Sequence, residues 1–339
     1  MAKRSWLAST LRSRAGLLQW ASIVGALAFV GWILVARGDE LRTAFSLTPR
    51  LFVLISISAV CTFLVNGIEL QVLAGRFERH VPFGEALLLG LMVSALNYLP
   101  MKTGTLLNGV LMRARYKVSL SHFGALVIGS SFIHLWVGFM CAGTAMLALG
   151  GDPVWAWAFL LAPTAFIAGL VVWGRTRTRG RFEGHESRLV RVGMRAVDGL
   201  GMIYSSWRLL VIEVAINLLL VTLAVTRTMW AFEALSVDAS FGASVVVTAI
   251  GIVAARLSII PGGLGFKEAG AALGSALTGI QPSLGFAASV VERAVMLVWL
   301  LVLGIPATLY LQRITGIDLA DAQALRAGGD AESAAIEEA

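Results

Sequence analysis

The sequence predicts an all-α polytopic membrane protein, with about six full spans and two re-entrant helical hairpins arranged as an inverted repeat. Three observations lead there. Of the 339 residues, 58% are hydrophobic and only 14% are charged, against about 25% charged in ordinary soluble domains. The mean hydropathy is +0.82. Two apolar stretches, residues 97–108 (NYLPMKTGTLLN) and 257–269 (LSIIPGGLGFKEA), are interrupted by Pro and Gly beside charge. Broken, charged backbone at membrane depth persists only where protein buries it or a wet cavity meets it. Two such interruptions in corresponding places of two halves point to a transporter-like site.

Taken in order, residues 1–16 carry Lys3, Arg4, Arg12 and Arg14 and no acid, followed by an apolar run over 17–36. That run is longer than a signal-peptide core and lacks a small-residue cleavage site, so it reads as a retained first span. Residues 51–74 form the second span. Residues 86–99 are apolar but too few for a hydrocarbon core that needs about 20. They lead to Pro100, and 103–112 then return toward Arg113, Arg115 and Lys117. A hairpin entering from the cytoplasm keeps those cations inside, as the positive-inside rule prefers.

Residues 122–149 and 154–174 give two more spans, joined by Gly150-Gly151-Asp152-Pro153. The segment 175–203 is a basic cytoplasmic loop, rich in arginine, whose part 187–202 has the spacing of an interfacial helix. Residues 209–225 form the next span, followed by a polar turn with Arg227, Glu233 and Asp238. Residues 242–260 and 269–280 form the second broken pair, and 284–311 the last span. These spans make 1–312 a single transmembrane domain, and 313–339 an acidic, disordered cytoplasmic tail. Most of the 27 Lys and Arg fall inside on this topology, and only Arg37, Arg42, Arg50 and Arg227 fall outside. Trp6, Trp155, Trp157, Trp207 and Trp230 sit near span ends, as interfacial anchors do.

The net charge of +7 is accounted for by this loop asymmetry and by anionic lipid, so nucleic acid is not implied. Cys61 and Cys141 lie inside apolar runs without metal-ligand spacing, and neither a metal nor a cofactor is expected. The candidate substrate-binding residues are Lys102, Arg256, Gly262, Gly263, Gly265, Lys267, Glu268, Glu292 and Arg293. Asn97, Arg113, Arg115, Glu69, Glu213 and Asn217 are secondary candidates. Charge at bilayer depth costs about 2.5–3.5 kcal/mol per group, so most of these side chains must face one another or a cavity. Lys267 with Glu268 reads either as an ion pair at a hairpin tip or as a site for a ligand phosphate. Glycine-rich backbone before a helix is itself an anion site. PGGLG lacks the spacing of a nucleotide-binding loop. Glu292 and Arg293 point to different faces of one helix, so each needs its own partner. Glu213 with Asn217, and Asn66 with Glu69, share helix faces as interhelical contacts or cavity lining. His134 reads as packed and hydrogen-bonded.

IIPGGLGFKEAG resembles the PGGLG-x-[RK]-E signature of the lysylphosphatidylglycerol synthase transmembrane-region family, also called flippase-like integral membrane proteins. NYLPMKTGTLLNGVLMRARYKVS is similar to that family's first block, although Thr105 stands where an acid often follows the glycine. Full synthases add a soluble aminoacyltransferase domain, whereas this sequence continues only into the acidic tail. The resemblance therefore implies the membrane unit without synthase or other enzymatic activity. It implies a lipid flippase for a phospholipid or polyprenyl-phosphate glycolipid in the inner membrane, with both termini cytoplasmic. Coupling to protons would fall to Glu268 and Glu292. Two other readings remain at this level: an accessory subunit of a lipid-modifying enzyme or glycosyltransferase partner, and an enzyme acting on a lipid phosphate.

Overall fold

The computed structural model describes residues 48–76, 80–98, 103–176, 201, 206–258 and 261–315. The expected first span, Lys102, nearly all of the basic loop and the tail beyond Thr315 lie outside the described residues. Among the described residues the protein is all-helical, without strands.

Helix α1 spans Pro49–Gly75, with Pro49 in its first turn and the Thr48 hydroxyl accepting from the Leu51 N–H. Pro suits that place because the first turn has no use for its missing donor. α2 (Phe83–Leu96) and α3 (Thr103–Tyr116) follow, then α4 (Leu120–Ala148) and α5 (Pro153–Thr176). α6 is Trp207–Ala234 and α7 is Phe241–Leu257; a 3₁₀ turn over Pro261–Gly263 separates α7 from α8 (Phe266–Leu277). α9 (Pro282–Trp299) passes through a π turn, Leu300–Gly304, into α10 (Ile305–Thr315). Pro306 explains that turn: it cannot donate to the carbonyl four residues back, and its ring crowds it.

Among the described residues, four stretches are long and apolar enough to cross a membrane: Pro49–Gly75, His122–Ala148, Trp207–Ala234 and Pro282–Thr315. α2 and α3 have 14 residues each, or ~21 Å at ~1.5 Å per residue. α8 has 12 residues, or ~18 Å on the same rise. Each is shorter than a hydrocarbon core of about 30 Å.

Both broken pairs fold back on themselves. In the second, glycines bring α7 and α8 into backbone contact: a methyl group on Gly274 would lie 2.7 Å from the Val247 Cα. Ala74, Val81, Ala86, Met112, Phe123 and Leu311 share one apolar cluster. The ends of α1, α3 and α10 and the starts of α2 and α4 therefore meet at one end of the bundle. Leu149 packs on Gly242, which puts the base of the α7/α8 hairpin at the other end. The hairpins thus enter the bundle from opposite ends, and their tips meet in its middle. The Gly262 N–H donates to the Asn97 carbonyl at 3.0 Å, and the Tyr98 ring lies against Gly262.

Two expectations are corrected. Ending a span at Val225 puts Arg227 outside, but α6 runs unbroken to Ala234 and Arg227 is 4% exposed. A carboxylate and a hydroxyl from neighbouring helices neutralise and solvate its guanidinium, so the charge does not force the helix to end. Trp155, Trp157 and Trp207 are exposed near helix ends, whereas Trp230 packs against the apolar cluster around Phe232 and Val291.

Candidate functional site

A cavity of about 510 Å³ opens where the two tips meet. Asn97, Thr105 and Asn108 reach it from the first hairpin, and Arg256, Gly262, Gly263 and Lys267 from the second. α1 supplies Thr62, Asn66 and Glu69, α4 supplies Ser130 and His134, α6 supplies Arg227, and α9 supplies Glu292. Leu70, Leu73, Ala74, Met112, Phe123 and Leu126 continue the wall toward the end where α1 terminates. The cavity is therefore polar at the tips and increasingly apolar toward one end of the bundle.

Glu292 is the centre of its charged wall. Its Oε1 accepts from Arg227 Nε at 3.0 Å and its Oε2 from Lys267 Nζ at 2.9 Å. Arg227 also donates to the Thr62 hydroxyl at 2.6 Å and to the Ser58 carbonyl and hydroxyl. One carboxylate between two cations leaves a net positive charge on this wall. Glu292 is 2% exposed, whereas the Lys267 side chain is 20% exposed and borders the cavity.

The tip itself is held by the other members of the same two dipeptides. Lys267 and Glu268 do not pair with each other: Glu268 Oε1 lies 2.5 Å from Arg293 Nε. Glu268 Oε2 accepts from the Gly265 N–H at 2.8 Å, which caps α8. Arg293 donates from Nη1 to the Gly262 carbonyl at 2.9 Å and from Nη2 to the Gly263 carbonyl at 3.4 Å. Gly262, Gly263 and Gly265 have φ of 63°, 63° and 79°, the left-handed region that only glycine enters without strain. Glu268 and Arg293 thus clasp a turn that glycine alone can make.

Arg256 has a different environment. It is exposed into the cavity, and its Nη2 donates to His134 Nδ1 at 3.3 Å. Arginine has no acceptor, so Nδ1 accepts and His134 is the neutral tautomer protonated at Nε2. At the first tip, the Thr105 N–H and hydroxyl both approach Asn97 Oδ1, at 3.1 and 3.2 Å. The short Thr105 thereby secures the start of α3.

The structure thus brings Arg256, Gly262, Gly263, Lys267, Glu292, Asn97 and Glu69 to the lining of one cavity. Gly265, Glu268 and Arg293 stand behind the tip. Glu213 and Asn217 are fully buried beside the cavity, joined to it through Ser130. Arg113 and Arg115 are exposed, with Arg115 paired to Glu85, and neither lines the cavity. Lys102 lies outside the described residues. Arg227 and Thr62 are the residues that sequence reasoning missed. A cation six residues before Glu233 looks like a loop signal until the length of the helix is known.

Helices of spanning length packed around a charged cavity, with broken helices at its centre, define an integral membrane protein. The chain belongs to the family described as the lysylphosphatidylglycerol synthase TM region, whose model matches residues 19–304. That match includes both broken segments and every residue of the cavity wall, and it ties the protein to membrane lipids. No curated protein and no solved structure matches the chain.

Proposed function

We propose that the protein is a lipid flippase, moving a phospholipid or a polyprenyl-phosphate glycolipid between leaflets without chemical change. The observation that carries this reading is the cavity at the hairpin tips, where Arg227, Arg256 and Lys267 face Glu69 and Glu292. A lipid phosphate needs cations and donors to replace its hydration, which Arg256 and Lys267 supply. The apolar residues toward the end of α1 suit the chain segment next to the headgroup. With the amino terminus cytoplasmic, that end is the cytoplasmic one by the distribution of basic residues. On this reading the cavity is loaded from the cytoplasmic leaflet of the inner membrane. The hairpins are re-entrant elements of an inverted repeat, and rocking one tip against the other gives the opposite state.

Leaflet exchange in proteoliposomes tests this reading. Headgroup-labelled phosphatidylglycerol and a polyprenyl-phosphate sugar are offered separately to the wild type and to Lys267→Ala. Exchange of one lipid, lost in the variant at unchanged folding, is the expected result. Exchange of neither by the purified protein moves the weight to an accessory subunit needing a lipid-modifying partner. A change in substrate mass would contradict the carrier reading.

A further inference from the structure

Glu69 and Glu213 face each other across a single hydroxyl. Ser130 Oγ lies 2.8 Å from Glu69 Oε1 and 3.3 Å from Glu213 Oε2. A serine hydroxyl carries one hydrogen and so donates to one of them only. The other contact is a hydrogen bond only if that carboxyl carries a proton and donates to the serine oxygen. Glu213 is 0% exposed, and its Oε1 has no hydrogen-bond partner. Among the described residues no cation is in ion-pair contact with either carboxyl. Two like charges sharing a site, one of them fully buried, do not both stay ionised.

The groups around the pair are few. Glu69 comes from α1, Ser130 and His134 from α4, Asn217 from one turn along α6, and Arg256 from α7. On α9, Glu292 and Arg293 are committed to Arg227, Lys267 and Glu268. Glu268 and Glu292, the carboxylates expected from sequence to couple protons, are each in contact with cations. Glu69 and Arg256 both line the cavity.

We infer that Glu213, bridged to Glu69 by Ser130, binds a proton, and that this proton is linked to the binding of an anionic headgroup at Arg256. The proton is taken from water in the cavity and returned to water; no other bond changes. With the proton bound, the pair carries one negative charge; without it, two, and the field at Arg256 disfavours an anion. Protonation and anion binding therefore reinforce each other, and by linkage the effect is reciprocal. The linkage to the headgroup rests on the carrier reading above; the proton site itself does not.

The test has two readouts on the purified full chain. The first is binding of short-chain phosphatidylglycerol, a phosphodiester whose own charge is constant between about pH 6 and about pH 9. Wild-type affinity is expected to fall about tenfold as pH rises across that range, a usual size for coupled sites. Glu213→Gln, whose amide donates to Ser130 as the protonated acid does, is expected to bind tightly at every pH. The second readout is the infrared carbonyl stretch of a protonated carboxyl group, present in the wild type and absent from Glu213→Gln. If Glu213→Gln does not fold, Ser130→Ala replaces it, and its carboxyl stretch is expected to shift. Wild-type pH dependence retained in Glu213→Gln, or no protonated-carboxyl band in the wild type, overturns the proposal. Phosphatidylglycerol bound at no pH overturns its linkage to an anion and counts against the carrier reading, while the band alone then decides the proton site.

Discussion

Arg227 and Glu292, 65 positions apart, form a buried ion pair, with Arg227 Nε 3.0 Å from Glu292 Oε1. Each is less than a tenth exposed, and the pair ties α6 to α9 while Thr62 and Ser58 tie the same guanidinium to α1. Removing one partner leaves the other charged and buried, which costs about 3–5 kcal/mol. Arg227→Gln is expected to lower stability by at most about that amount, read as a shift in reversible denaturant unfolding in micelles. Because Lys267 still neutralises Glu292, Glu292→Gln, which strands two cations, is expected to be the more damaging change.

The tip predicts a glycine requirement with two separable parts. Gly262→Ala meets a positive φ and the Tyr98 ring, whose Cδ1 would lie 2.6 Å from the new methyl. Strain of this kind costs about 1–3 kcal/mol. Adding Tyr98→Ala removes the clash but not the φ penalty, so the double variant should recover part of the lost stability. Full recovery would show that backbone conformation at Gly262 contributes nothing.

Glu268 does two things at once, so its replacements are graded. Glu268→Gln keeps an oxygen for the Gly265 N–H but leaves Arg293 without its counter-charge; Glu268→Ala loses both. An N-cap contact contributes about 0.5–2 kcal/mol, so the Ala variant should be the less stable by about that margin. Equal thermal denaturation of the two would contradict the cap.

The cavity's asymmetry predicts one-sided access. In a background lacking Cys61 and Cys141, Leu70→Cys is expected to react with a membrane-impermeant thiol reagent from the cytoplasmic face only. Added phosphatidylglycerol should slow the labelling. Labelling from the opposite face would reverse the orientation proposed for the bundle.

Both helix breaks were legible in the sequence because they violate its hydropathy. Pro261 and the glycines after it break a helix where apolar residues would otherwise continue it, and Lys267 and Glu268 put charge there. How the charges pair was less legible. Lys267-Glu268 invites local pairing, but neighbours on a helix point ~100° apart, so each reaches a different partner, as the sequence already implied for Glu292 and Arg293. Arg227 was illegible for a similar reason: a charge within an apolar run signals a loop unless its counter-charge is known, and Glu292 lies on another helix. Glu213 and Glu69 were visible as polar positions, but only the fold reveals that Ser130 stands between them. The π turn before Pro306 was hidden within what reads as one continuous span.

On the proposed carrier function, an anionic headgroup passes the hairpin tips at Arg256 and Lys267. The most direct measurement is the initial rate of phosphatidylglycerol exchange in proteoliposomes, compared among the wild type, Arg256→Gln and the exposed-site control Arg113→Gln. Exchange by the wild type is expected, with a rate at least about tenfold lower in Arg256→Gln, as for loss of a charge-assisted contact of about 1.5–3 kcal/mol, and a wild-type rate in Arg113→Gln. Unchanged exchange in folded Arg256→Gln would contradict it.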